Sequence, residues 1–458
     1  MINFPSEAKL LKKYDVPVPR YTSYPTIPYW DNEKFTTEKW IQAVRNVFHE
    51  TNDEKGISVY IHLPFCESLC TYCACDTRIT RNHKVEVQYI NALLKEWQHY
   101  KNIFGKVPII RELHLGGGTP TFFSPENLSW LINSMLQDVK VHDEYEFSFE
   151  GHPNNTTEEH LKTLFDLGFR RVSFGVQDLD EKVQKTINRI QPFENLCRVT
   201  NLSKAIGYES ISFDLIYGLP FQTPSSIINT FEHVLKLRSH RVSFYSYAHV
   251  PWMKPGQRGY EDSNLPSDVI KRLLYETGRS LLKSEGYEDV GMDHFALKND
   301  SLFQAYSNGK LHRNFMGYTT NQTDLLLGLG CSSISDAKYA YAQNQKTLEG
   351  YLNTIADDSL AVFKGHLQTS DDLNIKKCIL EVACQGKVGQ ENLLQISDES
   401  VIESLSALQS DGILKGNKDG FKVTETGRAF IRNICNVFDI RMKSAIRGNP
   451  ESTFSKAI

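Results

Sequence analysis

The chain has 458 residues, of which 40% are hydrophobic and 23% charged, and its formal net charge is −4. A chain of this length has more residues than one compact hydrophobic core usually accommodates, so we expect two or three structural units. The composition is that of an ordinary globular protein. The slightly acidic balance argues against nucleic acid or an anionic membrane as a partner, and without an apolar run of about 18 residues no transmembrane helix is expected.

Residues 1–52 are predicted to form an N-terminal arm of extended or mixed structure. Within it, the segment Pro19–Thr26 carries two tyrosines and two prolines beside Arg20. This composition is too aromatic for a disordered tail, so we expect the segment to pack against the rest of the chain.

Residues 53–300 alternate short β-branched or aromatic runs with helical patterns. The predicted strands are Ile57–His62, Ile110–Leu115, Glu146–Glu150, Arg171–Gly175, Ser210–Leu215 and Val242–Tyr247. The predicted helices between them are Val87–Phe104, Pro125–Gln137, Glu158–Leu167 and Glu194–Ile206. Such alternation indicates right-handed βαβ units and a parallel sheet. The fold class is therefore α/β, a partial, open (β/α)6 barrel, in which chemistry gathers at the carboxyl ends of the strands.

Residues 301–368 are predicted to extend the barrel, with Gly328–Ser335 as a glycine- and serine-rich turn. Residues 369–458 are predicted to form a mainly helical, winged-helix-like domain. In it, Gly412–Lys415 and Gly420–Val423 pair as a short hairpin. DNA binding is disfavoured because no dense basic helix accompanies this hairpin.

Cys66, Cys70 and Cys73 are spaced x3 and then x2, and Cys75 follows two positions later. Three thiolates this close can hold three irons of a cubane cluster and leave the fourth iron open for a small molecule. A structural zinc site would need four ligands, usually in two separated pairs. Nine cysteines without a secretory signal also argue against a disulfide framework and for a cytoplasmic protein.

Polar or glycine-rich residues follow several predicted strands. They are Gly116–Pro120 after the second strand, Glu150 at the third, Gln177 and Asp178 after the fourth, and Asp214 at the fifth. Consecutive glycines let the backbone approach a ligand, and a strand-end carboxylate needs a polar partner. Each residue alone fits a turn or a salt bridge, but their recurrence predicts one shared ligand pocket.

The cysteine spacing and the preceding Tyr60–Phe65 segment resemble those of radical S-adenosylmethionine enzymes. The full Cys-x3-Cys-x2-Cys-x-Cys pattern is similar to that of the oxygen-independent coproporphyrinogen III oxidase family. The resemblance extends to segments beyond the barrel motif, namely Pro19–Thr26, Gly291–Phe295, Leu311–Thr320, Tyr341–Asn344 and Ile431–Asp439.

This resemblance implies a radical-SAM barrel with one [4Fe–4S] cluster on Cys66, Cys70 and Cys73. It also implies two S-adenosylmethionine molecules. The residues implied for the cluster-bound molecule are Tyr60, Gly117, Glu150 and Ile334. Those implied for the second molecule are Tyr72, Gly118, Thr119, Gln177, Arg189, Asp214 and Ala248. Arg20 is implied as a partner for a substrate propionate, because a guanidinium forks onto a carboxylate.

The implied reaction is the oxidative decarboxylation of two propionates of coproporphyrinogen III to vinyl groups, through a 5′-deoxyadenosyl radical. The implied product is protoporphyrinogen IX, for heme biosynthesis. The implied partner is a one-electron donor such as a flavodoxin or ferredoxin, and the protein is expected to be a monomer. The sequence departs from the family pattern at Gly151-His152, where some members have Val-Asp, and at Met316, where glutamine is expected.

Three alternatives remain open from the sequence. A radical methyltransferase that opens the porphyrin ring would share the barrel, but the Arg20–Thr26 arm and the Arg432–Cys435 region favour the oxidase. A non-enzymatic heme chaperone would keep the fold, although Cys75 argues mildly against it. A structural iron–sulfur module would leave the strand-end polar residues unexplained.

Overall fold

The computed structural model describes residues 4–396, 398–446 and 454–455. Its strands are β1 Ile57–Leu63, β2 Phe65–Cys66, β3 Arg78–Ile79, β4 Ile109–Gly117, β5 Lys140–Gly151, β6 Arg171–Gln177, β7 Ser210–Tyr217, β8 Arg241–Ser246, β9 Tyr287–Val290, β10 His294–Leu297, β11 His312–Asn314, β12 Gly317–Thr319, β13 Leu326–Leu329, β14 Ile334–Asp336, β15 Ala340–Asn344, β16 Val362–Leu367, β17 Lys387–Gly389, β18 Leu414–Asn417 and β19 Gly420–Val423. Its helices are α1 Phe4–Tyr14, α2 Thr37–Lys55, α3 Val85–Phe104, α4 Pro125–Leu136, α5 Glu158–Asp166, α6 Glu181–Thr186, α7 Phe193–Ile206, α8 Pro224–Lys236, α9 Asp268–Ser284, α10 Ser301–Ser307, α11 Leu348–Ala356, α12 Ser370–Gln385, α13 Gln390–Leu393, α14 Glu399–Ser410, α15 Ile431–Val437 and α16 Ile440–Ile446. None of the helices in these described ranges is long and apolar enough to cross a membrane.

One twelve-stranded sheet forms the centre of the molecule, in the order β16-β15-β14-β13-β1-β4-β5-β6-β7-β8-β10-β9. The stretch from β13 to β8 is parallel throughout. Within it, β1 and β4 to β8 follow one another in the chain with helices between them, which confirms the predicted (β/α)6 fold class. Antiparallel strands extend both edges, β14 to β16 beyond β13 and β10 with β9 beyond β8.

The parallel strands differ in how far they are buried. In β1, six of the seven positions are buried and only Tyr60 is partly accessible, as expected for a strand covered on both faces. In β6, buried residues alternate with partly accessible ones, because one face of that strand borders the cavity described below. Helix α8 begins with a capping box formed by Thr223 and Ser226, and Pro224 lies in its first turn. The barrel core therefore packs between this sheet and its helices.

The segment Gly328–Ser335 is not only a turn, as the sequence suggested. Gly328 lies in β13, a buried strand that pairs in parallel with β1, and Ile334 begins the antiparallel strand β14. A Cβ atom at Gly328 would lie 2.5 Å from the carbonyl oxygen of Ile334. The glycine therefore lets the backbones of β13 and β14 approach each other closely inside the sheet. The apolar run Leu325–Leu327 before it is buried in the same part of the sheet.

The N-terminal arm contains the 19-residue helix α2, which the sequence analysis described only as extended or mixed structure. Thr36 caps this helix by accepting a hydrogen bond from the backbone of Lys39. The preceding aromatic segment packs against the protein, as predicted, because Tyr21 and Tyr24 are buried in a second core with the C-terminal helices.

The C-terminal unit contains the predicted hairpin, formed by β18 and β19, beside helices α12 and α14. It also fixes the arm. Arg432 donates to the carbonyls of Val18 and, at 3.2 Å, Pro19, while Tyr21 donates to Asn436 at 2.9 Å. These contacts hold the arm segment against helix α15.

A buried ion pair links β8 to the start of α10 and gives a stability test. Arg241 Nε donates to Asp300 Oδ1 at 2.6 Å, and the two side chains are 3% and 1% exposed. Asp300→Ala would leave the arginine charge unpaired, which costs about 3–5 kcal/mol of unfolding free energy. Urea unfolding followed by circular dichroism should show this loss.

The matched control is Glu349→Ala, because Glu349 pairs with Arg78 at 2.9 Å with both side chains more than half exposed. That pair should contribute less than about 1 kcal/mol. Equal losses in the two variants would contradict the assignment of the Arg241–Asp300 pair as a main support of this end of the sheet.

Candidate active site

A cavity of about 500 Å³ lies at the carboxyl ends of the parallel strands. The loops after β1 and β4 and the ends of β5, β6 and β7 border it. The predicted site residues that line it are Cys66, Cys70, Tyr72, Cys73, Gly117, Gly118, Thr119, Glu150, Gln177, Arg189 and Asp214. Of these residues, the strand-end rule applied to the sequence predicted Gly117, Gly118, Thr119, Glu150, Gln177 and Asp214 for one shared pocket.

The cysteine loop is fixed to its surroundings at several points. Strands β2 and β3 pair in parallel and close the loop on itself. Cys66 Sγ lies 3.3 Å from Thr119 Oγ1, and the backbone N–H of Thr71 donates to the Ile187 carbonyl at 2.9 Å. Asn188 Nδ2 donates to the Leu69 carbonyl at 2.7 Å. These contacts hold the loop against the β4 and β6 loops.

The thiols of this loop occupy different electrostatic surroundings. Burial raises the pKa of Cys66 to about 11. The pKa of Cys73 is lowered to about 6, first by the Cys75 thiol that donates to it and further by the backbone N–H of Cys75 and the cations Lys254 and Arg189. Cys73 is therefore mainly a thiolate at neutral pH, and Cys66 needs a metal to become one.

The three cysteines fit a polynuclear cluster better than a single metal ion. Among the described residues, no three Cys, His, Asp or Glu side chains converge closely enough to hold one ion. Ligands of a zinc ion must all reach one point at about 2.3 Å, whereas the thiolates of a cubane bind different irons. All three line one cavity that supplies positive charge from Arg189. The donor set therefore suits a [4Fe–4S] cluster.

The glycine loop after β4 runs directly beside the cysteine loop. Backbone N–H groups of Gly118 and Thr119 donate to the carbonyls of Leu63 and Phe65 at 2.8 and 3.0 Å. A Cβ atom at Gly118 would lie 2.6 Å from the backbone of Pro64. Only glycine permits this approach, so the glycine loop and the cysteine loop pack backbone to backbone where both border the cavity.

Glu150 faces the cavity from the end of β5. Its side chain is 47% exposed, and it has the polar partners that a strand-end carboxylate was expected to need. Oε2 accepts from the backbone N–H of Gly117 at 3.3 Å, and Oε1 lies 3.5 Å from His114 Nε2. One face of the carboxylate remains accessible to hydroxyl or ammonium groups of a ligand.

Gln177 and Arg189 meet above the end of β6. The register of β6 and β7 shifts between Gly175 and Gln177, and Gln177 has a φ of 66°. A Cβ atom at Gly175 would lie 2.7 Å from Gln177 Nε2 and 2.8 Å from Arg189 Nη2. Arg189 donates to the Gly175 carbonyl at 2.6 Å and to Cys70 Sγ at 3.7 Å. This irregularity turns Gln177 into the cavity, where it lies beside Arg189 from the loop after α6.

The two aspartates near these strand ends differ in surroundings. Asp214 lines the cavity and accepts from Ser173 Oγ at 2.8 Å, and burial raises its pKa to about 6. Asp178 is buried away from the cavity and accepts from Gln222, Thr230 and the backbone of Asp180. Asp178 therefore supports the loop structurally and does not join the ligand pocket.

Two residues predicted for the cluster-bound cofactor lie behind the cavity wall. The hydroxyl of Tyr60 lies 3.1 Å from His62 Nδ1, and its ring stacks on His114 with centroids 5.9 Å apart. Ile334 lies two strands from β1 and is packed against Gly328. Neither side chain lines the cavity. Contact with a cofactor would therefore have to come from their backbone groups or from small movements of the side chains.

Arg20 and Ala248 do not line the cavity, and each contacts other residues near it. Arg20 donates to the Ser246 carbonyl at 2.6 Å and lies 3.5 Å from Asp293 Oδ2. Its guanidinium carbon is 5.6 Å from the ring centre of Tyr245, which lines the cavity. The Ala248 carbonyl accepts from Gln257 Nε2 at 3.1 Å.

The cavity also contains residues that the sequence analysis did not select. They include Ser173, Tyr245, His152, Asn188 and Ile190. Ser173 and Tyr245 lie on predicted strands. Because side chains alternate between the two faces of a strand, the positions along β6 and β8 could have predicted that these two face the cavity. Asn188 and Ile190 lie in an irregular loop with no such signal.

Comparisons with known proteins agree with this site. A family model described as the Radical SAM superfamily matches residues 60–234. The oxygen-independent coproporphyrinogen III oxidase of Helicobacter pylori strain J99 is 38% identical over 97% of this chain and 98% of its own length. The chain belongs to the oxygen-independent coproporphyrinogen III oxidases. The protein of the same name from Escherichia coli K12 is 36% identical over 96% of each chain.

The fold comparison supports the same family. The solved structure of coproporphyrinogen III oxidase from Escherichia coli matches with a TM-score of 0.87 and 35% identity, over 94% of this chain and 98% of that one. The resemblance inferred from the sequence is thereby confirmed. As a radical SAM enzyme of this family, the protein uses a [4Fe–4S] cluster and S-adenosylmethionine.

Cluster assembly in this oxidase should depend on Cys66, Cys70 and Cys73 individually. Changing any one to alanine removes a ligand, so anaerobic reconstitution should leave little bound iron and sulfide. Cys75→Ala should keep the wild-type iron content, and Cys197→Ala, a change on the distant helix α7, serves as control. Full iron content in a variant of the first three would refute its role as ligand.

Gly118→Ala should weaken S-adenosylmethionine binding to the reconstituted oxidase about ten-fold, because the new methyl displaces the loop backbone. Equilibrium dialysis with the cluster oxidised measures the dissociation constant without turnover. Gly389→Ala is the control, because its added Cβ meets no atom within 4 Å. Unchanged affinity in Gly118→Ala would show that this loop lies away from the cofactor.

Proposed function

We propose that this chain catalyses the oxidative decarboxylation of two propionate side chains of coproporphyrinogen III to vinyl groups. The product is protoporphyrinogen IX, an intermediate of heme biosynthesis. The observation that carries this proposal is the 38% identity to a coproporphyrinogen III oxidase over 97% of the chain. Similarity of that extent includes the arm and the C-terminal unit, which a likeness limited to the barrel would not.

The cavity offers ligands for one cluster and, in our proposal, two S-adenosylmethionine molecules. Cys66, Cys70 and Cys73 would hold the cluster. The residues proposed around the cluster-bound molecule are Tyr60, Gly117, Glu150 and Ile334. The residues proposed around the second molecule are Tyr72, Gly118, Thr119, Gln177, Arg189, Asp214 and Ala248. When bound, the cluster and S-adenosylmethionine would supply the radical chemistry that removes a hydrogen atom from each propionate, after which carbon dioxide and one electron would leave the substrate.

The protein's own residues orient the ligands and exclude water. Glu150 offers a half-exposed carboxylate for ribose hydroxyls or an ammonium, and the glycine loop offers backbone groups at close range. Asp214, held by Ser173, supplies a second acceptor deeper in the barrel. Fixed donors and acceptors keep the reacting atoms aligned, which is the main contribution a protein makes to radical chemistry.

Arg20 is proposed to bind a propionate of the substrate. Its side chain is one third exposed, although it already donates to Ser246 and lies near Asp293. The adjoining Tyr245 ring lines the cavity, so a carboxylate entering beside that ring would meet the guanidinium. Arginine can engage a carboxylate with two parallel hydrogen bonds.

The proposal includes a reducing compartment and a protein partner. All nine cysteines are free, which suits a cytoplasmic enzyme with an oxygen-sensitive cluster. A one-electron donor such as a flavodoxin or ferredoxin would reduce that cluster, and the enzyme is proposed to act as a monomer.

The decisive experiment combines the reconstituted holoenzyme, a chemical reductant, S-adenosylmethionine and coproporphyrinogen III under anaerobic conditions. Mass spectrometry should show successive loss of two carboxyl groups, with 5′-deoxyadenosine formed. Unchanged substrate beside an assembled, reducible cluster would refute the proposal. Incubation with heme would then distinguish ring opening from simple binding.

Arg20→Ala should raise the KM for coproporphyrinogen III by about 10- to 100-fold, as expected for loss of a charge-assisted hydrogen bond. Arg20→Lys should recover only part of the loss, because an ammonium lacks the planar fork. Affinity for S-adenosylmethionine should stay unchanged in both. Arg45→Ala, at an exposed site on α2, is the control. An unaltered KM in a folded Arg20→Ala protein would exclude Arg20 from substrate binding.

A further inference from the structure

The His152 imidazole is a cavity group to which the proposed ligand contacts give no role. It follows Gly151 at the end of β5 and lines the cavity. Its backbone is fixed, because its N–H donates to Thr121 Oγ1 at 3.4 Å and its carbonyl accepts from the N–H of Asn155 and Thr156 at 3.0 and 2.9 Å. The ring therefore has a defined position.

Hydrogen bonding determines which ring nitrogen of His152 carries the proton. The backbone N–H of Asn154 donates to Nδ1 at 3.1 Å, so Nδ1 presents its lone pair. Burial, with a further contribution from the Arg189 charge, lowers the pKa of His152 to about 2, and the ring is neutral. Its single proton is thus on Nε2. That N–H has no acceptor anywhere in the described part of the chain.

Arg189 presents a second unused donor to the same cavity. Its Nη2 and Nη1 donate to Gly175 and Cys70, but its Nε is buried without a hydrogen-bond partner in the described residues. Buried donors normally have an acceptor, because leaving one unpaired is costly. A ligand acceptor would satisfy both groups.

Among the described residues, each of the three carboxylates that border the cavity already has a partner. Glu150 accepts from Gly117, Asp214 accepts from Ser173, and Glu67 Oε1 lies 3.9 Å from His83 Nε2. Both residues line one cavity, and one neutral with one charged N–H donor, from His152 and Arg189, suits an anion that accepts two hydrogen bonds. Both ligands of the proposed function carry such a group, the methionine carboxylate of S-adenosylmethionine and the propionates of the porphyrinogen.

We propose that His152 Nε2–H and Arg189 Nε–H bind a ligand carboxylate in this cavity, with His152 as a positioning residue. The inference rests on the proposed function for the identity of the two candidate ligands. The carboxylate belongs to S-adenosylmethionine or to the porphyrinogen, and the two arms of the test distinguish these sources.

The test uses His152→Phe, which keeps a ring and removes the donor, and His152→Asn, which keeps an N–H. The first arm measures the dissociation constant of S-adenosylmethionine with the reconstituted, oxidised holoenzyme by equilibrium dialysis. The second arm measures the KM for coproporphyrinogen III in anaerobic turnover. We expect His152→Phe to weaken one of these constants about ten-fold and His152→Asn to restore part of it.

A truncated ligand checks the chemical group. If the first arm changes, methylthioadenosine, which lacks the methionine carboxylate, should bind wild type and His152→Phe equally. A ten-fold loss with this ligand as well would overturn the carboxylate assignment. If the second arm changes instead, affinity for S-adenosylmethionine should be normal and the porphyrinogen is the source.

His142→Phe is the matched control. His142 has the same local arrangement, with Nδ1 accepting from the N–H of Glu144 at 3.0 Å, but it lies at the other end of β5. It should leave both constants unchanged. Iron content and thermal unfolding show whether each variant binds its cluster and folds. If His152→Phe fails either check, both constants are compared between wild type and His152→Asn instead.

Both constants within two-fold of wild type in cluster-loaded His152→Phe would overturn the inference while wild-type turnover still stands. Failure of the wild type to convert coproporphyrinogen III would instead refute the proposed function. The binding arm with S-adenosylmethionine would still decide whether His152 and Arg189 hold its carboxylate.

Discussion

The parallel hydrogen-bond ladder of the central sheet is the constraint on which the site depends. Because β1 and β4 to β8 all run in one direction, the segments that follow them emerge at a single edge. The register aligns His62 with Gly116 and Leu63 with Gly117, so the cysteine loop and the glycine loop begin side by side. A slip of one residue would reverse the faces of every side chain and separate these loops.

Arg189 balances charge at this edge. Burial alone would lower the pKa of its guanidinium, yet nearby Tyr72 and Cys70 outweigh that effect and the pKa is raised. The same cation contributes to the low pKa of Cys73 and to the neutral state of His152. One side chain in an irregular loop therefore favours a thiolate on one side and a neutral hydrogen-bond donor on the other.

The sequence predicted the barrel strands and the residues directly attached to their ends, because apolar runs with clear breaks define both. It did not predict β13, whose pairing with β1 joins segments more than 250 residues apart. Local patterns carry no information on such partners. It also grouped Gln177 with Asp178, although backbone irregularity turns one into the cavity and the other into the protein. Contacts made through an intermediary, as between Arg20 and Tyr245, likewise arise only from tertiary packing.

The N-terminal arm connects the C-terminal unit to the chemistry of the barrel. The Arg20 side chain contacts Ser246, Asp293 and Tyr245. The backbone around it is held by Arg432, Arg313 and Tyr341, which come from three later segments. Ordering an extended segment costs conformational entropy for every residue, and these hydrogen bonds to its carbonyls offset that cost. The helical C-terminal unit thus contributes to the site indirectly through Arg432, which helps to hold the arm segment that brings a guanidinium beside Tyr245 at the cavity wall.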